Sequence, residues 1–165
     1  MPLFQAGEEF LRSKPLPDGT FDENSYRSPD SVNSIKWGNL DKKGYREVRD
    51  YYKGLIAFRK AHGALRMRKA RDVLENVLCL DVHIPNVVAY QIRGAVENEP
   101  SEALIVAFNP NHRKARIPLP AGDWEVCIDG KNAGTKALAV VREQVEVAPI
   151  SAVVLVKRRE NHDLS

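Results

Sequence analysis

From Val77 onward the chain alternates between apolar and polar positions in short stretches. VLCLDVHI (77–84) and NVVAYQIRG (86–94) are separated by a Pro-Asn turn signal. ALIVAFNPN (103–111), RKARIPLP (113–120), DWEVCIDG (123–130), ALAVV (137–141), QVEVA (144–148) and SAVVLVKR (151–158) continue the pattern. About eight short strands, rich in Val and Ile and punctuated by Gly, Pro and Asn, predict an antiparallel β-sandwich or barrel. ALIVAFN is apolar on both faces, which predicts a central strand.

The first sixty residues follow other periods. Tyr45, Val48, Tyr52, Leu55 and Ile56 fall on one face of an α-helix, predicted over Lys42–His62 with Asp41 as N-cap and Gly63 as its C-terminal stop. Residues 1–10 read as a short strand ending at Ala6-Gly7. Between strand and helix, residues 11–41 are polar, with three Pro and two Gly and no periodicity. So long a loop inside a compact domain is commonly functional. Strand, loop and helix make one β/α unit, which cannot bury its own faces. In (β/α)8 barrels the loop after each strand carries the functional residues. The predicted architecture is therefore mainly β, with one β/α unit over 1–63 and an antiparallel β-sandwich over 64–165.

Charge changes this picture little. The chain has 165 residues, 25 basic and 22 acidic, and its longest Lys/Arg run is Lys157-Arg158-Arg159. That excess gives no case for nucleic acid, and no apolar run approaches the ~18 residues a membrane helix needs. Four scattered His and two Cys show no zinc-ligand spacing. Cys79 and Cys127 each sit in an apolar strand-like run, which predicts small buried thiols, unpaired and suited to a reducing compartment such as the cytoplasm. No secretory signal precedes the first turn, and no cofactor motif is present. The tail 159–165 is charged and expected to fray.

The loop segment FDENSYRSPDSVNSIKW (21–37) holds the candidate chemistry. Asn24, Ser25, Tyr26, Asp30 and Asn33 supply mixed donors and acceptors, and Tyr26 and Trp37 supply flat apolar faces. Sugars need that combination, although Asx and Ser residues in loops also make turns and caps. Glu8 and Glu9 suggest the two carboxylates of a glycosidase. Neighbours in an extended strand, however, point to opposite faces, so this pair cannot flank one bond. One residue facing solvent or ion-paired with Arg12, and one orienting the loop, fits them better. No other catalytic grouping can be assembled from these residues.

PLFQAGEEFLRSK…ENSYRSPDSVNSIKW resembles a segment of type I pullulanases, α-glucan debranching enzymes of the α-amylase superfamily. The family pattern runs G-x-P-F/L-x-x-x-G-x-E-F-x-R-T/S-K, a variable insert, then N-S-Y-x-S-x-D-S-x-N-x-x-D-W. LIAFRKAHGALRM is similar to the family's LI-x-x-R-K-x-H-P-A-F-R at the entry to its C-terminal β-domain. These motifs span residues 2–69; beyond them the resemblance is one of architecture. Lys36 stands where the family has Asp, and the insert PLPDGTFDE is long.

The resemblance implies that 1–4 is the eighth barrel strand, 11–41 the loop bordering the substrate groove, and 64–160 the C-terminal β-sandwich. It implies substrate contacts for Asp30 and Asn33, contact or loop shaping for Asn24 and Tyr26, and a structural or substrate-side role for Arg12. The family's nucleophile, acid/base and third carboxylate lie on earlier strands. The expectation is thus a C-terminal fragment of an enzyme cleaving α-1,6 branch points, inert alone and with α-glucan as the parent's partner. The alternative is a free-standing carbohydrate-binding or structural β-module. Self-association through 1–40 is expected if its strand lacks neighbours.

Overall fold

The computed structural model describes residues 2–159. It divides into two compact units between Tyr52 and Lys53, a point that falls inside the long helix.

The first unit is built from turns. The strand expected over 1–6 is not formed among the described residues. Residues 2–5 have no regular structure, Ala6-Gly7 turns, and Glu8–Phe10 is a 3₁₀ helix. A strand exists only where a second strand takes up its hydrogen bonds, and none does so here. The loop 11–41 is not structureless either. Pro15 and Phe21 form an isolated antiparallel bridge around a turn at Gly19, whose φ is +86°. Ser25–Arg27 and Trp37–Asp41 are 3₁₀ helices, and Asp30–Asn33 is a single helical turn, α1.

The predicted helix is α2, Lys43–Ala61. Tyr45, Val48, Tyr52 and Leu55 on its expected face are half-buried and Ile56 is exposed, whereas Phe58, off that face, is fully buried. Asp41 closes the preceding 3₁₀ helix and contributes its carbonyl, which accepts from Arg46 Nη2 at 3.1 Å. Gly63 is required for a different reason than a left-handed stop. A Cβ there would lie 2.1 Å from the Glu97 carbonyl oxygen, so only glycine allows this approach. Its N–H donates to Asn98 O at 3.0 Å, and Gly63–Arg66 continues as a 3₁₀ helix.

In the second unit, a helix not anticipated from the sequence, α3 (Ala70–Asn76), precedes the sheets. Seven residues are too few to show a 3.6 period, and Arg71 and Glu75 pair across one turn at 2.7 Å. Among the described residues eight strands follow: β1 Val77–Leu80, β2 Val88–Arg93, β3 Ser101–Asn109, β4 Ala115–Pro118, β5 Trp124–Ile128, β6 Ala139–Val141, β7 Gln144–Val147 and β8 Ser151–Arg158. All pairings are antiparallel, in a six-stranded sheet ordered β1-β2-β3-β8-β5-β6 and a two-stranded β4-β7 ribbon. The mainly β, antiparallel expectation therefore holds. As anticipated from its unbroken apolar run, β3 lies inside the sheet, between β2 and β8.

Ile105, Ala107, Trp124, Val153 and Leu155 of the large sheet and Ile117, Val145 and Val147 of the ribbon share one buried cluster. Asn109, almost fully buried, donates its amide to the carbonyls of Arg113, Val147 and Ala148, tying β3 to the end of the ribbon. Both cysteines are free, but Cys79 is exposed rather than buried. It sits on β1, an edge strand, while Cys127 lies on β5 between two neighbours. Arg159, first residue of the supposed frayed tail, donates to the carbonyls of Gly94, Glu99 and Ser101. The rest of that tail lies outside the described residues.

Candidate functional site

Gly7 sets the geometry of the first unit. Its φ of +91° turns the chain, and a Cβ there would sit 2.7 Å from Arg12 Cδ, so the Arg12 stem lies directly against it. Gly7 O accepts from the N–H groups of Phe10 (3.1 Å) and Arg12 (2.9 Å). The Arg12 guanidinium donates from Nη1 to Ala6 O at 3.1 Å and from Nη2 to Asn33 O. Its Nε is buried and without a hydrogen-bond partner among the described residues.

Asn33 in turn donates its amide to Ser25 O (2.7 Å) and Ser28 O (2.9 Å), fastening α1 back onto the Ser25–Arg27 turn. Lys14 Nζ donates to Ser25 Oγ, and Ser28 Oγ to Asp22 Oδ2. Asn24 contributes its backbone N–H to Asp22 Oδ1 at 2.9 Å. Phe10 and Val32 are buried, and Phe10 stacks on Trp37 with centroids 5.6 Å apart.

The five candidate residues therefore divide. Arg12 and Asn33 join in one hydrogen-bonded frame. Asn24, Tyr26 and Asp30 face outward, with the Tyr26 ring 87% exposed. The Asp30 carboxylate has no hydrogen bond to another described residue, and Trp37, with one face stacked on Phe10, is largely exposed. Arg12 also borders a surface cleft of about 440 Å³ lined by Gln5, Ser13, Lys14, Phe21, Asp22 and Glu23.

Of the alternatives for Glu8 and Glu9, the ion pair with Arg12 is not formed among the described residues, whereas Glu8 is exposed, as the solvent-facing alternative has it. Glu8 accepts from Gln5 N (3.2 Å) and Tyr52 Oη (2.8 Å), and Glu9 from Gly7 N (2.9 Å). Arg12 is committed to carbonyls instead. The bond to Glu8 raises the Tyr52 phenol above its ordinary value. Lys36, at the position where the resemblance calls for Asp, donates to Ser31 O at 2.8 Å and to Ser34 Oγ.

A second polar cluster, in the β-containing unit, went unseen in the sequence. The buried Glu99 carboxylate accepts from His62 Nδ1 (2.8 Å), Ala64 N (3.0 Å), Ser101 N (3.1 Å) and Ser101 Oγ. Burial pushes its pKa up, but these four donors outweigh burial and hold it at about 2. His62 also lies against the Phe58 ring at 4.2 Å. Partners 37 positions apart leave no local signal. Enclosed as it is, the cluster fastens the exit of α2 to the β2–β3 connection and has no room for a substrate. Among the described residues no group of His, Cys, Asp and Glu is placed to hold a metal, and no helix is long and apolar enough to cross a membrane.

Residues 73–132 match the family model "Pullulanase, all-beta domain". The chain is pullulanase-like. It is 33% identical to the pullulanase from Bacillus acidopullulyticus, with a TM-score of 0.83 over 93% of this chain and 18% of that one. The pullulanase of Paenibacillus barengoltzii, solved in complex with maltohexaose and α-cyclodextrin, gives 33% identity and a TM-score of 0.75, covering 93% of this chain and 22% of that one. A curated relative, pullulanase of Bacillus subtilis, is 32% identical over 120 residues, 73% of this chain. The chain spans only 16% of that enzyme's length.

Proposed function

We propose that these residues act as the C-terminal part of a longer glycoside hydrolase that cleaves α-1,6 branch points of α-glucans, and that the 165-residue polypeptide alone is inert. One observation carries this reading: the likeness to the Bacillus acidopullulyticus enzyme extends over 93% of the chain and so takes in the loop as well as the β-region. On this reading 1–63 is the last strand, loop and helix of a (β/α)8 barrel and 64–165 is its C-terminal β-sandwich.

Retaining hydrolysis needs two carboxylates about 5–5.5 Å apart across the scissile bond. Glu8 and Glu9 are each occupied by local donors, so the reaction requires carboxylates from elsewhere in the enzyme. The loop's part is to border the groove. Tyr26 and Trp37 present ring faces to glucosyl C–H groups, Asp30 and Asn24 meet hydroxyls, and Arg12 and Asn33 hold the loop in shape. The free-standing binding-module alternative has less support, because Trp124, the one Trp of the β-region, is 1% exposed and donates Nε1–H to Pro120 O. Taken alone, the polypeptide exposes Leu3, Phe4 and Leu11, through which self-association is expected.

The test grafts residues 2–159 into the Bacillus subtilis pullulanase in place of its matching segment. The chimaera should release reducing ends from pullulan, the 165-residue polypeptide should release none, and Asp30→Ala in the chimaera should raise KM. A folded chimaera that binds no maltooligosaccharide, or hydrolysis by the short polypeptide after repurification, overturns the reading.

A further inference from the structure

The cleft beside Arg12, about 440 Å³, takes its walls from two stretches of the first unit. Gln5, Arg12, Ser13 and Lys14 form one, and Phe21, Asp22 and Glu23, the end of the insert PLPDGTFDE, form the other. The insert is held in one shape. Leu16 N donates to Thr20 O at 2.8 Å and Asp22 N to Lys14 O at 3.0 Å, on either side of the Pro15–Phe21 bridge. At the turn, Asp18 Oδ1 accepts from Thr20 N (3.0 Å) and Thr20 Oγ1 (2.7 Å). The Asp22 carboxylate accepts from Asn24 N and Ser28 Oγ. Phe21 therefore stands between two pinned neighbours, 64% exposed and without a ring partner among the described residues.

Charge narrows what such a cleft accepts. Arg12 and Lys14 repel a cation, and Asp22 and Glu23 repel an anion. An apolar surface, from a ligand or from the remainder of a longer enzyme, would strip water from these charges without replacing it. The Gln5 amide, Ser13 hydroxyl and Glu23 carboxylate have no hydrogen bond to another described residue, so both donors and acceptors there are unmatched. A neutral molecule whose hydroxyls donate and accept, with a C–H face for the Phe21 ring, meets every one of these conditions. We propose that the cleft is an additional glucosyl-binding subsite built by the insert, with Phe21 as its stacking platform. The proposal rests on the α-glucan reading above and adds contacts outside Tyr26, Asp30 and Trp37.

Maltotetraose titrated into the chimaera tests it, with amide exchange and steady-state kinetics on pullulan as the readouts. Saturating maltotetraose should slow exchange over residues 15–23 at least about fivefold in the chimaera, and not in its Phe21→Ala variant. Phe21→Ala should raise KM for pullulan at least about fivefold with kcat within about twofold, and Phe21→Trp, which keeps a ring face, should restore KM. Unchanged exchange, an unchanged KM in Phe21→Ala, or no rescue by Phe21→Trp overturns the proposal. So does protection of residues 15–23 without ligand, together with a lowered thermal midpoint of Phe21→Ala, the result expected if the rest of the enzyme packs over the cleft. A chimaera that hydrolyses pullulan while Phe21→Ala is silent refutes the subsite alone. One that binds no maltooligosaccharide removes the α-glucan reading and the subsite together.

Discussion

Residues 2–52 and the β-region that follows are stabilised by different forces. The first stretch buries two apolar side chains, Phe10 and Val32, and otherwise keeps its path through Gly7, Arg12, Asn33 and a series of turns. The β-region gathers the inner faces of a six-stranded sheet and a ribbon into one apolar cluster. Apolar burial contributes about 25 cal/mol per Å², whereas a hydrogen bond exchanged with water contributes only ~1 kcal/mol net. A loop built of the second kind of interaction leaves polar groups and the Tyr26 ring exposed, while the sheet cannot change without losing its core.

Amide exchange should separate the two most widely. Amides of β3 and β8 should exchange at least ~10³-fold more slowly than those of residues 11–41 in a monomeric sample. Equal protection would make the first unit a self-sufficient fold and remove the contrast.

Side-chain truncation sharpens it. Leu155→Ala removes a side chain with no exposure and should cost about 2–5 kcal/mol in the denaturant transition of the β-region. Val32→Ala, within the loop's small cluster, should leave that transition in place and speed exchange only over residues 10–37. A shared loss of stability in both variants would merge the two regions.

Glu99→Gln probes the polar cluster inside the apolar region. The folded-state pKa of Glu99 is held at about 2, below its ordinary 4.5. Its contribution, about 3 kcal/mol, is therefore complete above the unfolded value and is lost as pH falls from ~4.5 towards ~2. Urea midpoints of wild type and variant should differ most above pH 5 and converge near pH 2. A constant gap across that range would mean that the carboxylate's ionisation does not matter.

Tyr26→Ala should show the smallest stability effect, within about 0.5 kcal/mol, because the ring is exposed. Its consequence should appear instead as a raised KM in the chimaera. A variant that destabilises the β-region would place Tyr26 in the scaffold.

Some of this was legible residue by residue. The alternation from Val77 to Arg158 marked out all eight strands to within a few positions, because a two-residue period with Gly, Pro and Asn breaks is a local property of the chain. The unbroken run ALIVAFN marked β3 as interior, and the apolar spacing from Tyr45 to Ile56 gave α2. The strand expected at 1–6 depended on a partner that these residues do not supply, and α3 was too short to show a period. Cys79 and Cys127 look alike in sequence, and only strand order made one exposed and the other buried. The same holds for the candidate site. Composition singled out Asn24, Tyr26, Asp30 and Asn33, but it took the folded loop to commit the Asn33 amide to two carbonyls and leave Tyr26 open. Glu99 and His62 carry no mark in the sequence. Their pairing follows from Gly63 letting the chain pass within contact of Glu97 and Asn98, a distance that only the tertiary structure sets.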